Sequence, residues 1–257
     1  MLAILSPAKR MKEEDCLPPR TEPVFLGRTE QLLGILRALP QPELKKLLQC
    51  SDEIAELNYR RYQKMNLHAA LSPAVLAFDG IQYQYMAPGV FEDAAYDYVE
   101  RHVRILSGFY GLLRPFDGVT PYRLEMQAPL RTERFRNLYD FWGDAPCRAL
   151  LRETETIVNL ASDEYSRLIR RHLPAHVRWV DCVFGELSNQ KVKEKGVYVK
   201  MARGEMVRFM AENDVQAPEE MRAFTRLNFV FQPAMSAPDR LVFLRPPGQN
   251  RRSCGSL

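Results

Sequence analysis

Cysteine and tryptophan are scarce in this 257-residue chain, which has five cysteines and two tryptophans. No two cysteines are two or three residues apart; they are Cys16, Cys50, Cys147, Cys182 and Cys254. An odd number of widely spaced cysteines argues against a disulfide framework and against a zinc site. We therefore interpret them as buried, inert thiols, because a redox-sensing thiol needs exposure and a lowered pKa.

Long apolar runs are also absent. Met1–Leu5 is a run of only five apolar residues before Ser6, whereas a signal peptide needs roughly 7–15 apolar residues and a membrane-spanning helix about 20. We therefore expect a cytoplasmic protein with no membrane partner.

Several motifs of common enzymes are missing. The chain has no glycine-rich P-loop, no dinucleotide fingerprint and no nucleophile elbow. Of its four histidines, His172 and His176 have a ligand-like spacing, but Pro174 lies between them. We therefore predict neither a cofactor nor a metal site.

Arginine, in contrast, is abundant. The net charge is only +4, but just nine of the 36 basic residues are lysine, and the others are arginine. Arginine presents a rigid fork of donors that matches phosphate. This composition favours nucleic acid or another phosphorylated partner, although genome base composition can also produce it.

Hydrophobic periodicity predicts a mixed α+β fold. Helices are predicted near 28–39, 42–49, 92–106, 137–152 and 203–213 and after Ser51, and strands near 2–5, 75–78, 156–160, 177–187, 197–201, 229–231 and 241–244. Residues 8–27 are predicted to be a long ordered loop. No strict alternation of strands and helices is visible, so we expect a single mixed-sheet domain with surrounding helices over residues 1–247, followed by a polar tail at 248–257.

The segment Ser6-Pro7-Ala8-Lys9 follows the first predicted strand. The carboxyl edge of an open sheet is a common place for ligand sites. Ser6 and Lys9 are therefore candidates for a binding site, with a surface turn carrying a solvated lysine as the alternative.

The segment 107–111 contains two glycines, Gly108 and Gly111, after Ser107 and before Arg114. Glycines allow a tight turn and close approach. The segment resembles the hairpin of a helix-hairpin-helix DNA-binding element, in which backbone N–H groups reach a phosphate. A plain tight turn remains the alternative.

Two further segments contain clusters of charged residues. Arg123 and Glu125 alternate after Pro121, which indicates either an internal ion pair or a phosphate-binding arginine oriented by a carboxylate. Lys200, Arg203 and Arg208 surround Gly204. If a helix begins near Ala202, Arg203 opposes the helix dipole at a cost of roughly 0.3–1 kcal/mol, which a bound anion would offset.

An ordered set of motifs resembles the YaaA (peroxide stress, DUF328-type) family over roughly residues 1–245. The motifs are Ile4–Lys9, Leu106–Pro115, Pro121–Met126, Leu138–Asp144, Val158–Tyr165, Tyr198–Lys200 and Ala202–Met206. The resemblance implies a peroxide-induced bacterial cytoplasmic protein that keeps free iron low and so limits oxidation of DNA and protein. It also implies a helix-hairpin-helix-like element and affinity for duplex DNA. Tyr85 and Asn228 depart from the family pattern, which usually has glycine at both positions.

Three functions are consistent with these observations. The first is sequence-independent binding of duplex DNA, with phosphate contacts from Lys9, Ser107, Gly108, Gly111, Arg114, Arg123, Lys200, Arg203 and Arg208. The second is an enzyme acting on a nucleotide or another phosphorylated small molecule, with a site built from Ser6, Lys9, Tyr122, Arg123, Glu125, Lys200 and Arg203. In that enzyme Glu125 would be the acid–base residue and Lys9 a phosphate ligand. The third is direct iron sequestration, which the few histidines and dispersed carboxylates disfavour. A deep pocket would favour the enzyme, and an open basic groove would favour DNA.

Overall fold

The computed structural model describes residues 1–247. The tail predicted at 248–257 and Cys254 lie outside the described residues. The helices are α1 (Leu26–Ala38), α2 (Gln41–Leu48), α3 (Asp52–Lys64), α4 (Ala74–Ala77), α5 (Ile81–Met86), α6 (Asp93–His102), α7 (Leu138–Trp142), α8 (Ala145–Leu151), α9 (Asp163–Arg170) and α10 (Gly196–Glu212). Short 3-10 helices span Pro88–Val90, Glu220–Ala223, Arg226–Asn228 and Pro233–Met235.

The strands are β1 (Leu2–Leu5), β2 (Arg10–Met11), β3 (Ser72–Pro73), β4 (Phe78–Asp79), β5 (Val103–Ser107), β6 (Gly111–Leu113), β7 (Gly118–Val119), β8 (Thr156–Leu160), β9 (Arg178–Ser188), β10 (Lys191–Lys193), β11 (Val230–Phe231) and β12 (Arg240–Arg245). Eight of them form one sheet in the order β11-β12-β9-β8-β1-β5-β6, with β10 paired to β9. Two small sheets pair β2 with β4 and β3 with β7.

The mixed sheet in a single domain with surrounding helices is confirmed, but its centre differs from a typical α+β arrangement. The five neighbouring strands β12, β9, β8, β1 and β5 are parallel, and β11, β6 and β10 add antiparallel edges. All four residues of β1 are buried, as expected for a strand covered on both faces. The parallel pattern is not visible in the sequence because long, irregular crossovers separate these strands.

The prediction of a helix continuing to Leu106 is wrong. Helix α6 ends at His102, and Val103–Ser107 is strand β5, which pairs in parallel with β1. β6 then returns antiparallel to β5. The segment 103–113 is therefore a strand hairpin at one edge of the sheet, and it replaces the helix-hairpin-helix-like element expected here.

Three other local predictions are wrong. Residues 75–78 lie mostly in helix α4, since a short buried apolar run does not distinguish a helix from a strand. Residues 197–201 are helical rather than extended because α10 begins at Gly196, and its face with Val199, Ala202 and Met206 is buried. The helix predicted at 137–152 is interrupted between α7 and α8, where Gly143 has a φ of 55°.

Candidate functional site

The carboxyl ends of β1 and β8 meet at a point where the connectivity of the sheet reverses. From β1 the chain continues to β5 and β6 on one side, and then returns to β8, β9 and β12 on the other. In open sheets with parallel strands, ligands bind in the crevice outside the carboxyl ends of the strands at such a switch point. Ser6 follows β1 directly, so the edge predicted from the sequence is the edge that the topology favours.

Two serines join the strand ends. The backbone N–H of Ser162 donates to Ser6 Oγ at 2.9 Å, and Ser6 Oγ donates to Ser162 Oγ at 3.2 Å. Helix α9 begins immediately after Ser162, and the hydroxyl of Tyr83 holds the turn after β1 by donating to the Ser6 carbonyl oxygen at 3.0 Å. The hydroxyl proton of Ser162 is therefore free to face a ligand beside the amino terminus of α9.

A second cluster lies on the loop after β7. Oε1 of Glu125 accepts from Arg123 Nη2 at 3.0 Å and lies 3.2 Å from Lys9 Nζ. The Arg123 and Glu125 side chains are only 12% and 16% exposed, whereas Lys9 is 68% exposed. Of the two alternatives for Arg123 and Glu125, the structure shows the internal ion pair, which with Lys9 forms a cluster of net positive charge.

Helix α10 contributes Lys200 and Arg203, which are three residues apart and therefore on one face. The expectation that Arg203 lies in the first turn of this helix is wrong, since α10 begins seven residues earlier, at Gly196. Arg203 therefore does not oppose the dipole at the amino terminus of this helix. Burial lowers the pKa of the Arg203 guanidinium, and nearby carboxylates only partly oppose that shift.

These clusters line one cavity of about 420 Å³. Its charged and polar walls include Ser6, Lys9, Arg10, Gln82, Arg123, Glu125, Ser162, Glu164, Lys200 and Arg203, and its apolar walls include Pro7, Ile81, Tyr83, Tyr122, Leu124 and Tyr165. The volume is within the range of roughly 300–1,000 Å³ for small-molecule sites. All seven residues of the sequence-predicted enzyme site contribute to it.

Three donors beside this cavity have no hydrogen-bond partner within residues 1–247. They are Gln82 Nε2, Arg123 Nε and Arg203 Nε, all shielded from solvent. Leaving a buried donor unpaired costs about 1–3 kcal/mol. Unsatisfied donors in three lining residues fit a cavity that receives hydrogen-bond acceptors from a ligand.

Ser107, Gly108 and Gly111 do not line this cavity, and all three are buried. Ser107 Oγ lies 2.5 Å from the Tyr122 hydroxyl and accepts the backbone N–H groups of Phe109 and Tyr110. The prediction of phosphate contacts here depended on a turn between two helices, and the turn joins two buried strands instead. It supports the cavity wall from behind through Tyr122.

The two glycines of this turn allow close packing. A Cβ on Gly108 would lie 2.4 Å from the carbonyl oxygen of Leu124, and Gly111, whose φ is 75°, packs against the Trp142 ring. The short contact at Gly108 shows why glycine is needed beside Leu124, the residue between Arg123 and Glu125.

Arg114 and Arg208 lie outside the cavity. Arg114 lines a separate space of about 140 Å³ together with Arg104, Arg152 and Asp117. Arg208 Nε donates to Glu212 Oε1 at 2.7 Å along the same helix. The nine DNA-contact candidates therefore do not form a single group: Lys9, Arg123, Lys200 and Arg203 converge, and the other five do not.

The two departures from the family pattern lie away from the cavity walls. Tyr85 is a half-buried residue of α5 and is not among the lining residues. Asn228 is exposed and has a φ of 61°, in the left-handed region that favours glycine but that asparagine tolerates. Asparagine can therefore replace the usual glycine at this position.

The cysteines differ in exposure. Cys147 and Cys182 are buried, and burial raises the pKa of both thiols, that of Cys147 to about 11. Cys16 is exposed, contrary to the expectation of buried thiols, and its pKa is raised by a hydrogen bond to Glu14.

Within residues 1–247 no group of three or more His, Cys, Asp or Glu side chains could hold a metal ion. In the same part of the chain no helix is long and apolar enough to cross a membrane.

Local sequence patterns do not single out every lining residue. Gln82 carries no local signal, since it lies in a short helix, Ile81–Met86, that hydrophobic periodicity does not predict. Ser162 was recognised only as the start of a helix, and Arg10 and Glu164 received no role. The adjacency of Ser162 to a predicted strand end was the one usable signal among these residues.

Comparison with known proteins places the chain among bacterial relatives. The model of a family described as peroxide stress protein YaaA matches residues 1–235. A UPF0246 protein of Desulfitobacterium hafniense (strain Y51) is 56% identical over 95% of this chain and 98% of its own length. UPF0246 proteins of Lachnoclostridium phytofermentans and Lactiplantibacillus plantarum are 49% and 46% identical over 95% of this chain, and over 96% and 99% of their own lengths.

Proposed function

Because this chain belongs to the YaaA family of peroxide stress proteins, we propose that it acts in the bacterial cytoplasm by binding a nucleotide or another phosphorylated small molecule in the 420 Å³ cavity. The observation that carries the proposal is the convergence of Lys9, Arg123, Lys200 and Arg203 at the topological switch point of the sheet. These residues are up to 194 positions apart in the sequence, so the fold itself assembles the cationic pocket.

The cluster of Lys9, Arg123 and Glu125 supports an enzymatic form of the proposal. Both contacts to Glu125 involve Oε1, so they leave Oε2 available to accept a proton from a ligand. A general base must lie within hydrogen-bond reach of the proton that it takes. We propose Glu125 as the acid–base residue and Lys9, in contact with it, as a ligand of a leaving oxygen.

Charge reversal at Lys200 tests the binding proposal. Lys200 is exposed and lines the cavity, and Lys193 is an exposed lysine that does not. We expect Lys200→Glu to weaken the binding of AMP or ATP about 10-fold or more, since hydrogen bonds to charged groups contribute about 1.5–3 kcal/mol. Isothermal titration calorimetry on the wild-type protein, Lys200→Glu and the control Lys193→Glu measures this. No binding of either nucleotide to the wild-type protein would contradict the proposal.

Duplex DNA is the second candidate ligand, and the exposure of the cavity rim favours it. Lys9 and Arg10 are 68% and 71% exposed at the mouth of the cavity, where they can contact phosphates of a duplex that cannot enter. Competition distinguishes the two candidates: a labelled short duplex displaced by stoichiometric ATP indicates the nucleotide site, whereas binding that falls steeply with salt and ignores ATP indicates DNA.

Limitation of iron-dependent oxidative damage is the cellular outcome that we propose for this binding. In a bacterial strain lacking the gene, we expect the wild-type chain and Lys193→Glu to restore survival in hydrogen peroxide, and Lys200→Glu to fail. Equal rescue by both variants, at matched protein levels, would show that the stress role does not depend on the cavity.

A further inference from the structure

The cavity wall contains two polar groups that differ in chemistry. One is the carboxylate of Glu125 between two cations. The other is the pair of Ser6 and Ser162, which join the carboxyl ends of β1 and β8 beside the amino terminus of α9. This second group combines hydroxyls with a helix amino terminus, a combination that suits an anion.

Two side chains at the wall supply further donors. Gln82 is only 6% exposed, lines the cavity and has no partner for Nε2. Arg203 also lines the cavity, and its Nε has no partner. Arg203 and Gln82 thus line the same cavity as Ser162.

The hydrogen-bond directions at the serines leave a donor for the ligand. Ser6 Oγ accepts the backbone N–H of Ser162 and donates its own proton to Ser162 Oγ. The proton of Ser162 is then not used between the two serines. Glu164, the carboxylate of the first turn that lines the cavity, accepts the backbone N–H of Gln127 at 3.1 Å, which holds one of its oxygens away from an anion.

We propose that the cavity binds the phosphate group of a phosphomonoester of about nucleoside-monophosphate size beside the amino terminus of α9, with Ser162, Arg203 and Gln82 as its ligands. The uncharged body of this ligand packs on the tyrosine-lined wall, and its hydroxyl or amine groups face Glu125. The cavity volume of about 420 Å³ is near the lower end of the usual range for ligands, which favours one phosphate group over three. This inference rests on the proposed function and names the ligand class and the site of its charged group.

Comparison of AMP with adenosine on the full chain tests the assignment. We expect the wild-type protein to bind AMP at least 10-fold more tightly than adenosine, and no less tightly than ATP. Arg203→Met keeps the length and apolar volume of the side chain, and we expect it to remove most of the preference for AMP while adenosine affinity changes less than threefold. Arg208→Met, on the same helix and outside the cavity, is the matched control and retains the preference.

Gln82→Met and Ser162→Ala provide the same test if Arg203→Met does not fold, as judged by circular dichroism and thermal melting. Each is expected to lower AMP affinity at least threefold without a matching loss for adenosine. Equal loss of AMP and adenosine affinity in all these variants overturns the phosphate assignment while leaving the nucleotide proposal intact. ATP binding tighter than AMP overturns the monoester assignment. Failure of AMP, ATP and inorganic phosphate all to bind the wild-type protein removes the proposed function itself.

Discussion

Asp117 combines burial with specific hydrogen bonds. It is 2% exposed, accepts the Thr21 hydroxyl at 2.6 Å and accepts the backbone N–H of Arg114 at 2.8 Å. Burial is the dominant influence and raises the pKa of this carboxyl to about 6, although both hydrogen bonds oppose the shift. The folded protein therefore binds a proton at Asp117 more tightly than the unfolded chain does.

The sign of the resulting pH dependence follows from linkage. A raised carboxyl pKa contributes stability below the ordinary value of about 4, and this contribution is lost as pH rises to about 6. One pKa unit corresponds to about 1.4 kcal/mol, so up to about 3 kcal/mol is lost across this interval. We expect Asp117→Asn to remove that part of the dependence, so the free energy of unfolding of the variant relative to wild type rises between pH 4 and pH 7. Urea denaturation at several pH values measures this difference, and a constant difference contradicts the assigned pKa.

Residue type alone identifies cations that can bind an anion, but it does not show which of them meet in one site. Lys9, Arg123, Lys200 and Arg203 were selected because a basic side chain beside a strand end, a carboxylate or a glycine often binds an anion. Their convergence in one cavity agrees with that selection. Arg114 and Arg208 meet the same local criteria but lie elsewhere. The direction of a side chain depends on the tertiary structure, which these local criteria do not include.

At the scale of elements, the contact between α10 and α5 places two of these cations. Gly204 lies against the carbonyl oxygen of Gln82, where an added Cβ would lie only 2.1 Å away, and 2.8 Å from the backbone nitrogen of Met86. Neither neighbour is a flexible side chain that could rotate aside. The close contact between the two helices therefore requires glycine. It also keeps Arg203, the residue before Gly204, near Gln82, although α5 and α10 are far apart in the sequence.

We expect Gly204→Ala to separate α10 from α5, to destabilise the protein by about 1–3 kcal/mol as an overpacked site does, and to weaken nucleotide binding. Gly34→Ala is the matched control, since Gly34 lies within α1 with no atom within 4 Å of an added Cβ. That substitution is expected to stabilise the helix by about 0.5–1 kcal/mol. Thermal melting and calorimetry with AMP measure both effects; an unchanged melting temperature in Gly204→Ala would show that the helices can adjust.

For the whole molecule, the distribution of charge matters more than its total. A net charge of +4 is small, and many arginines are paired with carboxylates, including Arg170 with Asp181 and Arg226 with Glu205. Lys9 and Arg10 at the cavity mouth are paired too, with Glu125 and Asp79, but their side chains are 68% and 71% exposed, which makes them candidates for long-range attraction of nucleic acid phosphates. A duplex bound at this rim would compete with a small-molecule ligand entering the cavity.

We expect Lys9→Gln and Arg10→Gln each to lower the slope of log affinity for duplex DNA against log salt concentration by about one. Arg60→Gln, on α3 and outside this cavity, serves as the control, and we expect Arg114→Gln to leave the slope unchanged because Arg114 lines a separate space. Fluorescence anisotropy with a short duplex measures the slopes. A lower slope for Arg114→Gln, with unchanged slopes for Lys9→Gln and Arg10→Gln, would indicate that DNA binds at that second space.

The sequence by itself determined the elements whose signal is local. The buried run Leu2–Leu5, the strand at 156–160, the helix start after Ser162 and the polar motifs that supply the cavity walls were all recognisable, because burial on both faces and helix capping leave patterns within a few residues. It also determined the family, through the order of its motifs.

Only the tertiary structure decided how these elements meet. Parallel pairing with β1 made Val103–Ser107 a strand although its spacing also suits a helix, and the buried face of α10 made Val197–Met201 helical although it resembles a strand. The crossing from β6 back to β8 brought Ser6 and Ser162 within hydrogen-bond distance across 156 positions. Local patterns cannot specify such a meeting, because it depends on the free energy of packing the whole sheet rather than on any one segment.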